Sequence, residues 1–232
     1  MDNDVILRLE GVSKYFPGVK ALDGVDFTVR TGEVHALVGE NGAGKSTLVK
    51  VVTGVHQPTA GRILLRGEEV HFPTPQDSQH AGIAVIHQEA TMFTNLSVLE
   101  NIFMGHHLKR PGMGLVDWAT MRERTESLLR QLEIEVDPET SVRDLSVAKR
   151  HQIEIVKALS FNADIVIMDE PTSALSLKEV EELYRIVRNL REQGKAIIFI
   201  SHKLDEIFTI ADYFTVLRDG HYIGEGRVSE SS

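Results

Sequence analysis

A glycine-rich loop between an apolar run and a helical pattern constrains this chain more than any other feature. Residues 39–46 read GENGAGKS and match the pattern G-x-x-x-x-G-K-[ST] at every required position. The preceding run, Val34–Val38, predicts a buried strand, and residues 45–53 predict a helix that ends at Gly54. Glycines let successive backbone N–H groups turn toward one anion, beside the positive end of the new helix. The sequence therefore predicts a phosphate-binding loop and a nucleotide site.

Two pairs of side chains predict how a bound nucleotide is held and attacked. Lys45 is placed for the β- and γ-phosphates, and the Ser46 hydroxyl for Mg²⁺. A second apolar run, residues 165–168, ends in Asp169 and Glu170. An aspartate at the carboxyl end of a buried strand beside such a loop holds Mg²⁺ through water, so we expect this of Asp169. The adjacent Glu170 is then a candidate to polarise an attacking water.

The apolar pattern along the chain predicts an α/β fold. Short apolar runs separated by glycines fill the first third, and helical spacing with many charges dominates from about residue 95 to residue 161. Continuous apolar strands then return at residues 165–168 and 196–200, separated by an amphipathic helix, which indicates a parallel sheet covered on both faces. We expect one domain over residues 1–232. Its mostly parallel core and N-terminal antiparallel β-subdomain comprise residues 1–94 and 162–232, and its inserted helical subdomain comprises residues 95–161.

Local signals fix several turns and helix ends within this plan. Asp117 is a predicted N-cap, and Ser176 with Glu179 has the spacing of a capping box. A hairpin is predicted around Arg66-Gly67, and Asp219-Gly220 is a favoured type I′ pair for a last hairpin.

Composition excludes several classes of protein. The chain has 232 residues, of which 42% are hydrophobic, so it can bury a core without disulfides or structural metals. It contains no cysteine, which excludes thiolate metal sites and cysteine nucleophiles. Its longest apolar stretch, residues 196–200, is far below the roughly 18 residues of a membrane helix. The net charge of −9 argues against nonspecific binding to nucleic acid, and we expect no nucleic-acid partner.

Two polar side chains follow other predicted strands. Gln88 follows the run at residues 84–87, and His202 follows the run that ends at Ser201. Ligands of open parallel sheets lie outside the carboxyl ends of the strands, so either group can reach a γ-phosphate or Mg²⁺. Each residue is also compatible with a solvated strand end.

In combination, these segments resemble the nucleotide-binding domain of ATP-binding cassette (ABC) transporters. The matching parts are GENGAGKST at 39–47, Gln88 as the Q-loop, DLSVAKRHQIEIVKALS at 144–160 as the signature region, IVIMDEPTSAL at 165–175 as Walker B with the D-loop, and His202 as the switch histidine. Order and spacing cover residues 5 to about 226.

The resemblance implies ATP and Mg²⁺ as ligands and assigns roles to individual residues. It implies Lys45, Gln88, Glu170 and His202 as catalytic residues, and Ser46, Gln88 and Asp169 as residues that hold the metal. Adenine would stack on Phe16, which lies 29 residues before Lys45, or on its neighbour Tyr15. The implied phosphate contacts are Gly39, Glu40, Asn41, Gly42, Ala43, Gly44, Lys45, Ser46 and Thr47.

The signature region departs from the family's usual LSGGQ. Leu145 and Ser146 are retained, but Val147 and Ala148 replace the two glycines that expose N–H groups toward the γ-phosphate on the opposite domain. Ser146 keeps its hydroxyl for that contact and is equally suited to be the N-cap of the following helix. We therefore expect a degenerate signature with a weakened contact across the dimer. The D-loop is also altered, with Ser176 where aspartate is common.

A narrower resemblance accounts for this departure. VSKYFPGVKALDGVDF at 12–27, HQE at 87–89 and the signature region are similar to the first cassette of tandem ATPases for bacterial monosaccharide import, of the ribose and galactoside type. There the first cassette has an intact phosphate loop and a degenerate signature, and the second has the reverse. The resemblance implies a second cassette in the same parent chain but outside this one, transmembrane permease subunits, indirectly a periplasmic sugar-binding protein, and a peripheral location on the cytoplasmic face of the inner membrane.

Two other classes stay open at this point. Non-transport ABC proteins of translation or DNA repair share the motifs, but repair members carry a long coiled-coil insertion that this chain lacks, and translation members are expected to be more basic. A small-molecule kinase built on a phosphate loop would not explain Gln88, Leu145-Ser146 and His202 together.

Overall fold

The structure, a computed structural model, describes residues 4–87, 92–112 and 114–230. Its strands are β1 (Val5–Phe16), β2 (Val19–Arg30), β3 (Val34–Val38), β4 (Ala60–Leu65), β5 (Glu68–Val70), β6 (Ile83–Ile86), β7 (Ile165–Asp169), β8 (Ala196–Ile200), β9 (Tyr213–Arg218) and β10 (His221–Arg227). Its α-helices are α1 (Lys45–Val52), α2 (Pro75–His80), α3 (Val98–Ile102), α4 (Trp118–Gln131), α5 (Val147–Ser160), α6 (Leu177–Glu192) and α7 (Leu204–Ile210).

The strands form two sheets, as predicted. Four antiparallel strands from the first third of the chain pair in the order β2-β1-β4-β5. The other six strands pair in the order β10-β9-β3-β8-β7-β6, and all neighbours in that sheet are parallel except β9 and β10. The hairpin of β1 and β2 is longer than the apolar pattern suggests, because Tyr15 and Phe16 continue the pairing to Lys20 and Val19.

Two hydrophobic clusters cover the two faces of the parallel sheet. One face, with Leu37, Ile167 and Ile198, packs against α1 and the antiparallel sheet. The opposite face, with Met168 and Phe199, packs against α6 and the helices of residues 95–161. Each buried strand contributes alternate residues to the two clusters, which is why β7 and β8 read as continuously apolar. The helical segment therefore shares a core with the sheet, and its bounds as a subdomain stay a prediction.

Local signals predicted several helix ends and turns correctly. Asp117 caps α4 by accepting a hydrogen bond from the N–H of Thr120, and Ser176 begins α6 in a capping box with Glu179. α1 ends at Val52, and Gly54 beyond it has φ 71°. Asp219 and Gly220 both have positive φ, 52° and 77°, as a type I′ turn requires. Across the described ranges, none of the helices combines the length and the apolar character that crossing a bilayer requires.

Candidate functional site

The predicted phosphate loop connects β3 to α1 and needs its glycines. Gly42 and Gly44 have φ of 87° and 105°, in the left-handed region that glycine alone enters at little cost. A Cβ on Gly39 would lie 2.5 Å from the carbonyl oxygen of Leu217, and one on Gly44 would lie 2.8 Å from that of Ala21. The loop therefore packs closely between β9 and the β1–β2 hairpin, which leaves no room for side chains behind it.

The Lys45 side chain closes over this loop. It is 7% exposed, and its Nζ donates hydrogen bonds to the carbonyl oxygens of Gly39 at 2.6 Å and Glu40 at 2.9 Å. The ammonium group is thereby held above the concave side of the loop, beside the N-terminus of α1. This arrangement places a fixed positive charge where the sequence predicts the β- and γ-phosphates.

A cavity of about 730 Å³ opens in front of the loop. It joins the loop to the acidic end of β7 and to the β1–β2 hairpin. Its lining residues are Val19, Lys20, Ala21, Asn41, Gly42, Gly44, Lys45, Ser46, Thr47, Asp169, Glu170 and Asp219. A cavity of about 670 Å³ at the opposite edge of the sheet, lined in part by Arg8, Arg66 and Asp164, lacks such a loop.

Asp169, the last residue of β7, supplies a partly buried carboxylate to this cavity. Burial raises the pKa of Asp169 above its ordinary value, and the adjacent Glu170 charge adds to the rise; His87, Lys45 and Lys50 act in the opposite direction. Such a carboxylate gains from a nearby divalent cation, because the cation offsets both the desolvation and the repulsion.

The chemistry of the donor set fits Mg²⁺. Asp169 and the Ser46 hydroxyl line one cavity and offer oxygen ligands, which Mg²⁺ prefers. The described residues contain no cluster of three or more histidine, aspartate or glutamate side chains that could hold a metal. A magnesium ion here would therefore take its remaining ligands from water and from nucleotide phosphates, as Mg²⁺ ordinarily does.

Glu170 and His202 lie side by side at the ends of neighbouring strands. Residue Asp169 of β7 is in register with Ile200 of β8, and the N–H of Glu170 donates to the carbonyl oxygen of Ile200 at 3.0 Å. The Nδ1 of His202 lies 2.9 Å from Oε1 of Glu170. A carboxylate accepts only, so Nδ1 carries the hydrogen of this bond. The carboxylate is thus oriented toward the cavity that it shares with the phosphate loop.

The aromatic candidates at the end of β1 differ in their surroundings. The hydroxyl of Tyr15 donates to Asp23 at 2.8 Å, and the ammonium of Lys20 lies over the Tyr15 ring. Phe16 is 38% exposed and packs edge-on against His56. Neither ring lines the cavity, although Val19, the register partner of Phe16, does. Stacking on adenine stays a prediction for Phe16, with Tyr15 as the alternative.

The signature segment forms the start of a helix. Ser146 is the N-cap of α5, and its Oγ accepts a hydrogen bond from the N–H of Lys149 at 3.2 Å. Val147 is 48% exposed, whereas Ala148 is 6% exposed and packs inward. The bulk that replaces the first signature glycine therefore stands at the surface of the helix N-terminus. Gln88, the predicted Q-loop residue, lies outside the described residues.

Sequence reasoning did not identify two charged side chains that line the cavity. Lys20 belongs to the β1–β2 hairpin, and Asp219 belongs to the β9–β10 turn. The turn reaches the loop because the N–H of Gly220 donates to the carbonyl oxygen of Ala43, and the N–H of Asp23 donates to that of Gly220. The Asp219-Gly220 pair signals only a turn, so no local pattern could have placed it beside the phosphate loop.

Comparisons with known proteins agree with this geometry. A sequence profile described as "ABC transporter" matches residues 22–173. The chain is 55% identical over 224 residues to "Ribose import ATP-binding protein RbsA 1" of Agrobacterium fabrum, covering 97% of this chain and 44% of that protein. It is 55% identical over 221 residues to "Putative ribose/galactose/methyl galactoside import ATP-binding protein 1" of Burkholderia cenocepacia, covering 95% of this chain and 42% of that protein.

A solved structure extends the likeness to the whole fold. The crystal structure of a nucleotide-free ATP-binding cassette from an ABC transporter superposes with a TM-score of 0.86 at 29% identity, covering 96% of this chain and 91% of that chain. The chain spans somewhat less than half the length of the curated relatives that it matches. Because the profile match covers more than half of the chain, and includes the phosphate loop and the acidic end of β7, the chain belongs to the ABC transporter family.

Proposed function

We propose that this chain binds Mg-ATP and hydrolyses it to drive the import of a monosaccharide, as the first cassette of a tandem import ATPase. One observation carries the proposal: Lys45 on the phosphate loop and the acidic pair Asp169 and Glu170 line the same cavity. Family membership identifies the triphosphate as ATP, and the cavity combines a cationic loop for its phosphates with a candidate base.

Each residue of the site has a distinct part in the proposed reaction. The N–H groups of the loop and Lys45 bind the β- and γ-phosphates and stabilise charge that develops there. Asp169 and Ser46 hold Mg²⁺, which when bound neutralises phosphate charge. Glu170 accepts a proton from the attacking water, and His202 orients the Glu170 carboxylate through their hydrogen bond. Gln88 and Phe16 enter by family resemblance, as contacts to the metal and γ-phosphate and to adenine.

The proposed sugar and the proposed partners are inferred from the relatives of this chain. Proteins named for ribose or galactoside import are 52–55% identical to nearly the whole chain, and this chain matches only 42–45% of their length. A second cassette in the same parent chain explains that share. We infer permease subunits as the membrane partner, a periplasmic sugar-binding protein as an indirect partner, and a peripheral position on the cytoplasmic face of the membrane.

Sugar uptake by cells tests the proposal. Cells that depend on the parent transporter take up radiolabelled ribose or galactose, and Lys45→Ala in this cassette should abolish that uptake at equal protein level. Lys109→Ala, at an exposed position away from the cavity, is the control and should leave uptake unchanged. Wild-type uptake of both sugars by the Lys45→Ala cells would contradict the import function, and recovery of the protein with ribosomes instead of permease subunits would favour a role in translation.

A further inference from the structure

A buried carboxylate on α7 joins the two loops that carry Glu170 and His202. The Glu206 side chain is 8% exposed and uses both of its oxygens. Its Oε1 accepts hydrogen bonds from Oγ1 of Thr172 at 2.6 Å and from Nζ of Lys203 at 3.0 Å, and its Oε2 accepts one from Oγ of Ser201 at 2.7 Å. Glu206 thus receives three donors within ordinary hydrogen-bond distance.

The donors stand next to the proposed catalytic pair. Thr172 lies two residues after Glu170, and Ser201 comes directly before His202. Their hydroxyls are buried and must donate, because an ionised carboxylate only accepts. The Ser201 hydroxyl oxygen also accepts a hydrogen bond from the N–H of Lys203 at 3.1 Å. One side chain therefore fixes the loop after β7 and the loop after β8 to the same point.

The charge of Glu206 is stabilised where it lies. Burial by itself would raise the pKa of Glu206, but the hydrogen bonds from Thr172, Ser201 and Lys203, with the Lys203 charge, lower it below its ordinary value. The side chain is therefore ionised at neutral pH. Hydrogen bonds to an ionised acceptor are shorter and stronger than neutral ones, so this network holds its members firmly.

The backbone at Glu170 gives a second, independent reason for such an anchor. Glu170 has φ 47°, in the left-handed region that residues with a side chain occupy at a cost. A residue keeps this conformation only where the surrounding contacts over-determine it. Two contacts hold the residues directly after Glu170 in the chain. The N–H of Ser173 donates to the carbonyl oxygen of Glu170 at 3.3 Å, and the Thr172 hydroxyl donates to Glu206.

We propose that Glu206 is a positioning residue for ATP hydrolysis, which ties Thr172 to Ser201 and so holds Glu170 in hydrogen-bond contact with His202. The inference rests on the proposed function, because it requires Glu170 and His202 to act on the nucleotide. Removing a link of this network should change the rate of hydrolysis more than nucleotide binding. Of the residues involved, only Glu170 lines the cavity in front of the phosphate loop.

Two conservative variants test separately the hydrogen bonds that Glu206 accepts from Thr172 and from Ser201. Thr172→Val keeps the shape of the side chain but removes the donor on the Glu170 side, and Ser201→Ala removes the donor on the His202 side. In the assembled transporter, each should lower kcat by about 10- to 100-fold, the scale of a small misplacement of a catalytic group. The KM for ATP, and the Kd of this chain for Mg-ATP, should stay within about twofold of wild type because the phosphate contacts persist.

A matched control distinguishes positioning from general loss of stability. Ser78 and Ser201 are both 2% exposed, and the single Ser78 hydroxyl hydrogen is shared between the carbonyl oxygens of Thr53 and Pro75, outside the Glu206 network. Ser78→Ala should lower the melting temperature about as much as Ser201→Ala but leave kcat unchanged. An equal fall in kcat for the two serine variants would overturn the positioning role.

Glu170→Gln separates this inference from the proposed function. If Glu170→Gln loses hydrolysis while Thr172→Val and Ser201→Ala keep the wild-type kcat, Glu206 does not position the pair, although the proposed function stands. If Glu170→Gln keeps the wild-type kcat, the catalytic pair itself is wrong and the role of Glu206 fails with it.

Discussion

The Nδ1 of His202 lies 2.9 Å from Oε1 of Glu170, although 32 residues separate the two side chains in sequence. The contact exists because β7 and β8 are parallel neighbours in register, so that both side chains leave the sheet at the same edge. The phosphate loop leaves β3 at that edge as well, beside β8. A charge-bearing loop, a candidate base and the group that orients the base thus meet at the carboxyl ends of three adjacent strands.

Lys45→Ala should weaken Mg-ATP binding by at least about tenfold, because a hydrogen bond to a charged group contributes roughly 1.5–3 kcal/mol. The substitution removes the ammonium that is held over the loop by Gly39 and Glu40. Titration of the chain with a fluorescent ATP analogue gives the dissociation constant, and Lys109→Ala is the control. An unchanged constant in Lys45→Ala would contradict the assignment of the phosphate site.

Glu170→Gln should leave Mg-ATP affinity within about twofold of wild type while hydrolysis falls by roughly 100- to 10,000-fold, the contribution of a general base. The amide keeps the size of the side chain but cannot take a proton from water. Phosphate release by the assembled transporter and nucleotide titration of the chain measure the two quantities. Glu192→Gln, at an exposed position on α6, is the matched control. A parallel fall of binding and hydrolysis would indicate a metal-holding or structural role instead.

Asp169→Asn should stabilise the nucleotide-free chain at neutral pH and yet abolish the gain in stability that Mg-ATP gives. Burial raises the pKa of Asp169 above its ordinary value of 3.8, so the folded state binds this proton more tightly than the unfolded state. The free energy of unfolding therefore falls as the pH rises from 3.8 through the raised pKa, and the loss is complete above that pKa. Asparagine carries no charge at any of these pH values, so the variant avoids this loss.

Thermal unfolding between pH 3 and pH 8 measures this effect. The melting temperature of Asp169→Asn should exceed that of wild type above pH 4 and converge with it in more acidic buffer. Mg-ATP at a concentration of 100 times its Kd should raise the free energy of unfolding of the wild type by about 2.7 kcal/mol and leave that of Asp169→Asn unchanged. A lower melting temperature for Asp169→Asn at pH 7 would show that its carboxylate is stabilised in the folded chain.

The isolated chain should bind Mg-ATP, stay largely monomeric and hydrolyse ATP very slowly. In this family ATP is held between the phosphate loop of one domain and the signature helix of the other. We expect Val147, which is half exposed at the N-terminus of α5, to hinder close approach of the opposite domain's ATP there. Loss of one transition-state donor costs roughly 100- to 1,000-fold in rate. Sedimentation with and without ATP, with phosphate release, tests the prediction; a tight ATP-dependent homodimer with fast turnover would contradict it.

Reversion of the signature should strengthen ATP-dependent self-association. The double variant Val147→Gly with Ala148→Gly restores both glycines, but Ala148 packs inward, and glycine inside a helix costs about 1 kcal/mol relative to alanine. Val147→Gly alone should therefore give most of the gain with less loss of stability. Sedimentation with ATP measures the self-association of both variants. Trp118→Gly, at an exposed residue of α4, is the control for the effect of adding a glycine to a helix.

The sequence by itself determined the parts of this protein that depend on neighbours along the chain. The phosphate loop, the acids after β7 and the caps of α4 and α6 are local: each needs a strand or helix and a few residues beside it, and the structure has them where the pattern predicts them. The β-subdomain and the parallel sheet were also predicted, because apolar runs and glycines signal strands and turns.

Only the tertiary structure decided which distant side chains meet. Glu206 lies outside the phosphate loop, the signature and the acidic end of β7, and its contacts with Thr172 and Ser201 follow from the packing of α7 against two strand ends. Asp219 lines the cavity in front of the phosphate loop because the N–H of Gly220 in the same turn donates to the carbonyl oxygen of Ala43 in the loop. The physical reason is that the order in which distant strands pair, which no local pattern specifies, sets the distance between side chains far apart in sequence.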